Sequence, residues 1–96
     1  MLMKYFDWNE NKNQWLKEER HISFEAVVNY LEDGKIINTI HHPNIEKYPN
    51  QRIFIIEHEN YAYLVPFVDD DTTVFLKTII PSRKATEKYL RNKNNE

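Results

Sequence analysis

The sequence predicts a single α+β domain over residues 1–96, in which two N-terminal helices precede an antiparallel sheet of three to four strands and a C-terminal helix follows. Three patterns indicate this arrangement. Residues 24–31 place apolar side chains at helical spacing, and residues 52–59 divide their side chains between two faces as a strand does. Residues 74–80 form an apolar, β-branched run, and residues 82–91 then continue without Gly or Pro, as a helix requires.

Capping signals place the first two elements. Residues 2–6 suit a short edge strand. Asp7 and Glu10 have the spacing of a capping box, and Asn9 is a second candidate N-cap, so we predict the first helix over residues 11–20.

Lys12 is placed among the large apolar residues of this region. At spacings of three and four residues it shares one helix side with Trp8, Trp15 and Leu16, which points it inward and away from the other charges. Two interpretations stay open. Either the lysine stem passes the tryptophans and carries its charge to solvent, or the ammonium group binds a substrate.

The second helix has signals at both ends. Ser23 is a favourable N-cap residue, and Gly34, the only glycine, stands where a helix C-terminus favours a left-handed residue. The apolar stripe between them is predicted to be core and not a cofactor site.

Three further strands precede the last one. We expect them at residues 36–42, 52–59 and 61–68, with an irregular stretch at residues 43–51. Glu59 and Asn60 supply a tight turn between the second and third, because Asn tolerates positive φ. Pro66 cannot donate a ladder hydrogen bond, so we expect a bulge there or an amide position that faces off the ladder.

Positive charge is concentrated near the C-terminus. Residues 1–76 hold seven Lys and Arg against thirteen Asp and Glu, whereas residues 77–96 hold six against two. Arg83 and Lys84 fall in the first turn of the last helix, where the helix dipole favours anions. We therefore expect a phosphate or a partner's carboxylate to meet this corner, with a solvated helix face as the simpler interpretation.

The composition bounds the class of protein. Hydrophobic residues make up 41% of the chain, which is enough for a packed core, and there is no Cys for a disulfide or a thiolate metal site. No apolar run is long enough to span a membrane, and the first residues do not form a signal peptide. These features favour a cytoplasmic protein.

Four segments of the chain resemble, in order, the motifs of the BrnT family of toxins. They are FDWNENK at residues 6–12, ISFEA at residues 22–26, QRIF at residues 51–54 and KTIIPSRKA at residues 77–85. The corresponding family patterns are an opening F-[DE]-W-[DN]-x-x-K, a middle [IV]-S-F-E-E-A, an Arg that opens a central strand, and a closing I-I-S-x-R-K-A. The resemblance spans nearly the whole chain.

This resemblance implies a RelE-like, compact α+β ribonuclease, the toxin of a type II toxin–antitoxin system, which blocks growth by cleaving RNA. It also implies a cognate antitoxin with a ribbon-helix-helix DNA-binding domain. The toxin–antitoxin complex would bind promoter DNA through the antitoxin and repress its own promoter. No cofactor and no membrane partner are implied.

RNA cleavage by the 2′-hydroxyl group needs a base, an acid and cations over the phosphorane, but no metal ion. We predict Arg52, Lys77 and Arg83 as catalytic residues, because their strands are expected to flank a common neighbour and bring these cations to one concave surface. Arg52 or Arg83 would clamp the phosphate group with its planar guanidinium. Lys77 or Lys12 would transfer protons, which requires a lysine pKa lowered from about 10.4.

We predict Lys12, Ser82 and Lys84 as substrate-binding residues. The Ser82 hydroxyl group can bond a phosphate oxygen, but capping the last helix is its simpler role. Tyr61 and Tyr63 can stack on bases, or they can pack within the core.

A non-catalytic function is the alternative. In that interpretation the chain is a RelE-like interaction module whose basic corner binds an acidic or DNA-binding partner. A metal site is not predicted, because His41 and His42 are adjacent on a strand and therefore point to opposite faces.

Overall fold

The computed structural model describes residues 4–91, which form three helices and a mixed sheet of six strands. In chain order the elements are β1 (Tyr5–Asp7), α1 (Glu10–Glu19), α2 (Phe24–Glu32), β2 (Ile36–His41), β3 (Arg52–His58), β4 (Tyr61–Asp69), β5 (Thr73–Leu76), β6 (Ile80–Pro81) and α3 (Arg83–Ala85), which continues as a π-helix (Thr86–Arg91). The predicted α+β class is confirmed.

The sheet has the strand order β1-β5-β4-β3-β2. Strands β2 to β5 form the predicted antiparallel meander. Two additions make the sheet larger than the predicted three to four strands: β1 joins β5 in parallel, and β6 pairs with the middle of β4. The predicted N-terminal edge strand is present at Tyr5 and Phe6, whereas Leu2 and Met3 lie outside the described residues.

The strand predicted at residues 74–80 is wrong in its second half. β5 ends at Leu76, and the chain leaves the ladder before β6 begins at Ile80. Pro66 of β4 is the physical reason. Its carbonyl oxygen accepts a hydrogen bond from the Lys77 amide at 2.8 Å, but its nitrogen, on the same side of the strand, has no hydrogen to donate. The ladder therefore breaks beside Pro66, whose nitrogen faces the gap between β5 and β6.

Local signals place α1 and α2. Asn9, and not Asp7, is the N-cap of α1, and its side chain accepts a hydrogen bond from the Lys12 amide at 2.9 Å. Ser23 caps α2 as predicted. At the other end of α2, Gly34 has a φ of 73°, and its amide and the next one donate to carbonyl groups in the last turn.

A helix layer covers each face of the sheet. On the first face, buried residues of α1 and α2, including Leu16 and Phe24, cluster with Val65 of β4. On the second face, Ala85 of α3 clusters with Ile55 of β3. Because successive strand residues point to opposite faces, each side chain of β3 and β4 belongs to one layer or the other. The face on which a side chain lies therefore decides which site it can reach.

The last helix begins where predicted but changes its geometry. The Ser82 Oγ atom accepts a hydrogen bond from the Ala85 amide at 3.0 Å, which makes it the N-cap. Only Arg83–Ala85 is α-helical, and Thr86–Arg91 is π-helical. Within residues 4–91, no helix combines the length and the apolar character that crossing a bilayer requires.

The turn between β3 and β4 positions one end of the sheet. Glu59 and Asn60 have φ values of 54° and 66°. Two central residues with positive φ match the twist of the flanking strands, so the predicted tight turn is confirmed. The turn sets His58 opposite Tyr61 in the ladder.

Candidate nucleic-acid interface

The structure separates two of the three predicted catalytic residues. Arg52 begins β3 opposite Phe67, and its side chain lies over that ring on the first face. Arg83 begins α3 on the second face, directly after Ser82, whose amide bonds to the Ala62 carbonyl oxygen. Phe67 and Ala62 lie about 17 Å apart along β4. Arg52 and Arg83 therefore do not meet at one phosphate group, contrary to the expected convergence, and their individual roles stay predictions.

Arg52 belongs to an ion-pair network. Its Nη2 atom lies 3.0 Å from each carboxylate oxygen of Asp69, which also accepts a hydrogen bond from Lys4 Nζ at 2.8 Å. The guanidinium carbon lies 5.0 Å from the Phe67 ring centroid. A guanidinium bound to a carboxylate has fewer free donors for a phosphate group, so these contacts explain the position of Arg52 without a substrate.

Lys77, Ser82 and Lys84 have different surroundings. Lys77 is exposed on the segment between β5 and β6. Ser82 has the simpler of its two predicted roles, because its hydroxyl oxygen caps α3. Lys84 is exposed on the second face and lines an apolar groove together with Ser82.

Lys12 contacts an aromatic ring at the protein surface. Its Nζ atom lies 4.6 Å from the Trp15 ring centroid. The inward side of α1 carries Asn13 and Leu16, whereas Trp15 is 41% exposed. The predicted inward side is therefore confirmed for Leu16 and wrong for Trp15, and Lys12 is half-buried between them.

Arg20 also contacts Trp15, and no local sequence pattern predicts this role for it. Its guanidinium carbon lies 4.8 Å from the Trp15 ring centroid, so the exposed indole contacts two cations. An Nη1–H group of Arg20 donates to the carbonyl oxygen of Ile79, which fixes the guanidinium. Each exposed cation–π contact contributes about 0.5–1 kcal/mol. The sequence gives little indication of the hydrogen bond between Arg20 and Ile79, because the two residues are 59 positions apart.

Tyr63 on β4 contacts the His58 ring, and the charge of Arg20 acts on its hydroxyl group. Burial raises the pKa of the Tyr63 hydroxyl group, Glu59 and Tyr61 raise it further, and the positive charge of Arg20 acts against them. A tyrosine with a raised pKa stays protonated at neutral pH and can donate a hydrogen bond. The Tyr63 ring centroid lies 5.8 Å from that of His58 and 6.0 Å from that of Tyr61.

The two ring nitrogens of His58 differ. Nδ1 lies 2.6 Å from the Tyr30 hydroxyl oxygen. Nε2 is buried and, in the part of the chain that the structure describes, has no hydrogen-bond partner. The Glu59 carboxylate is 3.7 Å away, too far for a hydrogen bond but close enough to attract a protonated imidazole. A cavity of about 340 Å³, lined in part by Lys17 and His21, opens beside His58.

We call Lys12, Trp15, Arg20 and Tyr63, with His58 in contact with Tyr63, the aromatic–basic surface. An exposed ring beside two cations suits single-stranded RNA, because a base stacks on the ring and phosphate groups meet the cations. The ring nitrogens of a histidine can accept and donate protons, which suits proton transfer. Among residues 4–91, no group of three or more His, Cys, Asp or Glu side chains is arranged to hold a metal ion.

Comparisons with known proteins add no family assignment. No protein-family model, no curated protein and no solved structure matches the chain.

Proposed function

We propose that this chain is the toxin of a type II toxin–antitoxin system, with a RelE-like fold and a metal-independent endoribonuclease activity. The observation that carries the proposal is the aromatic–basic surface, where the exposed Trp15 ring contacts two cations, Lys12 and Arg20. The fold class supports it as well, because a compact α+β domain is what the BrnT resemblance implies.

In this proposal, single-stranded RNA lies across the aromatic–basic surface. Trp15 stacks on a base, and Lys12 and Arg20 contact neighbouring phosphate groups. Arg20 stabilises the negative charge of the phosphorane, and the Tyr63 hydroxyl group donates a hydrogen bond to it. His58, which lines the adjoining cavity, is the candidate base for the 2′-hydroxyl group.

The proposed partner is a ribbon-helix-helix antitoxin, which neutralises the chain and carries the complex to promoter DNA. The second candidate function is a non-catalytic, RelE-like module that binds an acidic or DNA-binding partner. Lys84 and Lys88 favour it, because both line an apolar groove on the second face of the sheet. The two functions differ in whether the purified chain cleaves RNA.

Trp15→Ala tests the proposed RNA site, and the fold should tolerate it because Trp15 is largely a surface residue. We expect the purified chain to bind a fluorescein-labelled single-stranded RNA and to cut it in the presence of EDTA. Expression without an antitoxin should arrest bacterial growth. Trp15→Ala should weaken RNA binding roughly 5- to 150-fold, as the loss of about 1–3 kcal/mol for one stacked base predicts. Fluorescence anisotropy measures the affinity.

Tyr48→Ala is the matched control. Tyr48 is another exposed aromatic residue, and the Lys47 Nζ atom lies 5.4 Å from its ring centroid. This variant should bind RNA as the parent chain does. Arg20→Ala and Arg83→Ala then compare the observed surface with the site predicted from the sequence, and cleavage should fall more with Arg20→Ala. Equal losses for Trp15→Ala and Tyr48→Ala, or a chain that binds no RNA, would refute the proposal.

A further inference from the structure

The second face of the sheet carries an apolar groove that the proposed RNA site does not use. Its volume is about 250 Å³. Ile55 and Leu64 of the sheet form its floor, Ile40 of β2 lies on one side, and Ala85 and Tyr89 of the last helix lie on the other. An open apolar groove of this kind is a candidate docking surface.

Hydrogen bonds fix the helical wall of the groove to the sheet. The buried Thr86 hydroxyl group accepts from the Ala62 amide at 2.8 Å and donates to the Ser82 carbonyl oxygen at 2.7 Å. Asn38 Nδ2 donates to the Tyr89 hydroxyl oxygen at 3.2 Å. The wall is largely π-helical, a rare geometry that is frequent at functional sites. The groove is therefore preformed, which lowers the entropic cost of binding.

The rim of the groove is positively charged. Lys84 and Lys88 both line it, and Lys88 Nζ lies 5.2 Å from the Tyr89 ring centroid. Glu87 is the only acidic residue in the last helix, which carries four cations. Over residues 4–91, neither lysine forms an ion pair with a carboxylate. An apolar floor beneath unpaired cations is complementary to an occupant that is apolar on one side and acidic at its margin.

We propose that this groove receives a short amphipathic α-helix of a partner protein. Apolar side chains of that helix, three and four residues apart, would lie over Ile55 and Leu64, as in other helix-in-groove complexes. Two of its carboxylates, one turn apart, would pair with Lys84 and Lys88, which are themselves four residues apart.

A small-molecule ligand fits the groove less well. Its 250 Å³ is below the range of about 300–1,000 Å³ that is typical of drug-sized and cofactor sites. The same space suits the anchoring side chains of a helix, because the rest of the helix would stay outside. The inference does not rest on ribonuclease activity, since no residue of the aromatic–basic surface lines this groove.

A displayed library of helical peptides, each of about 15 residues, tests the chemistry of the occupant with the full chain as bait. The inference predicts enrichment of peptides that combine an apolar stripe at helical spacing with two acidic residues four positions apart. Enrichment of basic or wholly polar peptides, or no enrichment at all, would overturn it. Circular dichroism of each bait variant confirms that it is folded.

The double variant Lys84→Glu/Lys88→Glu tests the location. It should weaken binding of a selected peptide by about tenfold or more, and a peptide whose two acidic residues are replaced by Lys should bind this variant instead. Lys35→Glu/Lys47→Glu is the control, because it changes the net charge equally at exposed lysines that do not line the groove. Equal weakening by the control, or loss of RNA binding in place of peptide binding, would overturn the assignment.

Discussion

At the scale of single residues, Asp69 forms an ion pair with Arg52, one of the three predicted catalytic residues. Its carboxylate accepts hydrogen bonds from Lys4 and Arg52 at the end of β4. The hydrogen bond from Lys4 is the main cause that lowers the pKa of Asp69, with a smaller contribution from Arg52, while burial acts against both. The network therefore stabilises the ionised carboxylate in the folded state.

Asp69→Asn should destabilise the fold in a pH-dependent manner. Because the folded-state pKa of Asp69 lies below its ordinary value of 3.8, the carboxylate contributes stability above that pH and loses it as the pH falls through the lowered value. We expect a loss of about 1 kcal/mol in the free energy of unfolding at pH 7, shrinking in acid. Urea denaturation at neutral and acidic pH measures it. Asp71→Asn, in the turn that follows β4, is the control. An equal loss of stability in that variant would contradict the role of the ion pairs of Asp69 with Lys4 and Arg52.

At the scale of the elements, Asn13 joins the first two helices. It is fully buried, and its Oδ1 atom accepts a hydrogen bond from the Phe24 amide at 2.8 Å. Its Nδ2 atom donates to Glu25 at 2.9 Å, and this bond is the main cause of the lowered pKa of Glu25. A residue in the middle of α1 thus satisfies a backbone donor at the start of α2, beside the cap that Ser23 supplies.

Asn13→Ala should lower the free energy of unfolding by about 1–3 kcal/mol, because it leaves the buried Phe24 amide without a partner. Asn11→Ala is the matched control, since Asn11 is exposed on the same helix. Thermal and urea unfolding of both variants compares them. An equal loss of stability in the two variants would contradict the stabilising role assigned to the hydrogen bond between Asn13 and the Phe24 amide.

At the scale of the whole molecule, the sequence predicts the fold correctly where residues close to one another in the chain determine the conformation. Ser23, Gly34 and Asn60 each have the cap or turn geometry that their residue types favour. The strand at residues 74–80 is mispredicted because the residue that interrupts it, Pro66, lies on a different strand. Its position in the sheet depends on strand register, which no short pattern encodes.

The candidate site follows the same division. Lys12 and Trp15 are three residues apart on a helix, so their spacing predicts the contact between them. It does not predict how far the two side chains are exposed to solvent. Arg20 is held by a carbonyl group of the segment between β5 and β6, and only the folded chain brings them together. Arg52 and Arg83 share a charge but not a sheet face, and this separation appears only when the strands are paired.

The two proposed binding surfaces lie on opposite faces of one sheet, with Trp15 on the first face and Lys84 on the second. Packed layers are about 10 Å apart, and sites that far apart without shared contacts behave independently. We therefore expect a saturating groove peptide to change the RNA dissociation constant by less than about twofold. Anisotropy of labelled RNA, titrated with the chain in the presence and absence of the peptide, measures this. Displacement of RNA by the peptide would instead mean that β4, which carries Tyr63 on one face and Leu64 on the other, couples the two surfaces.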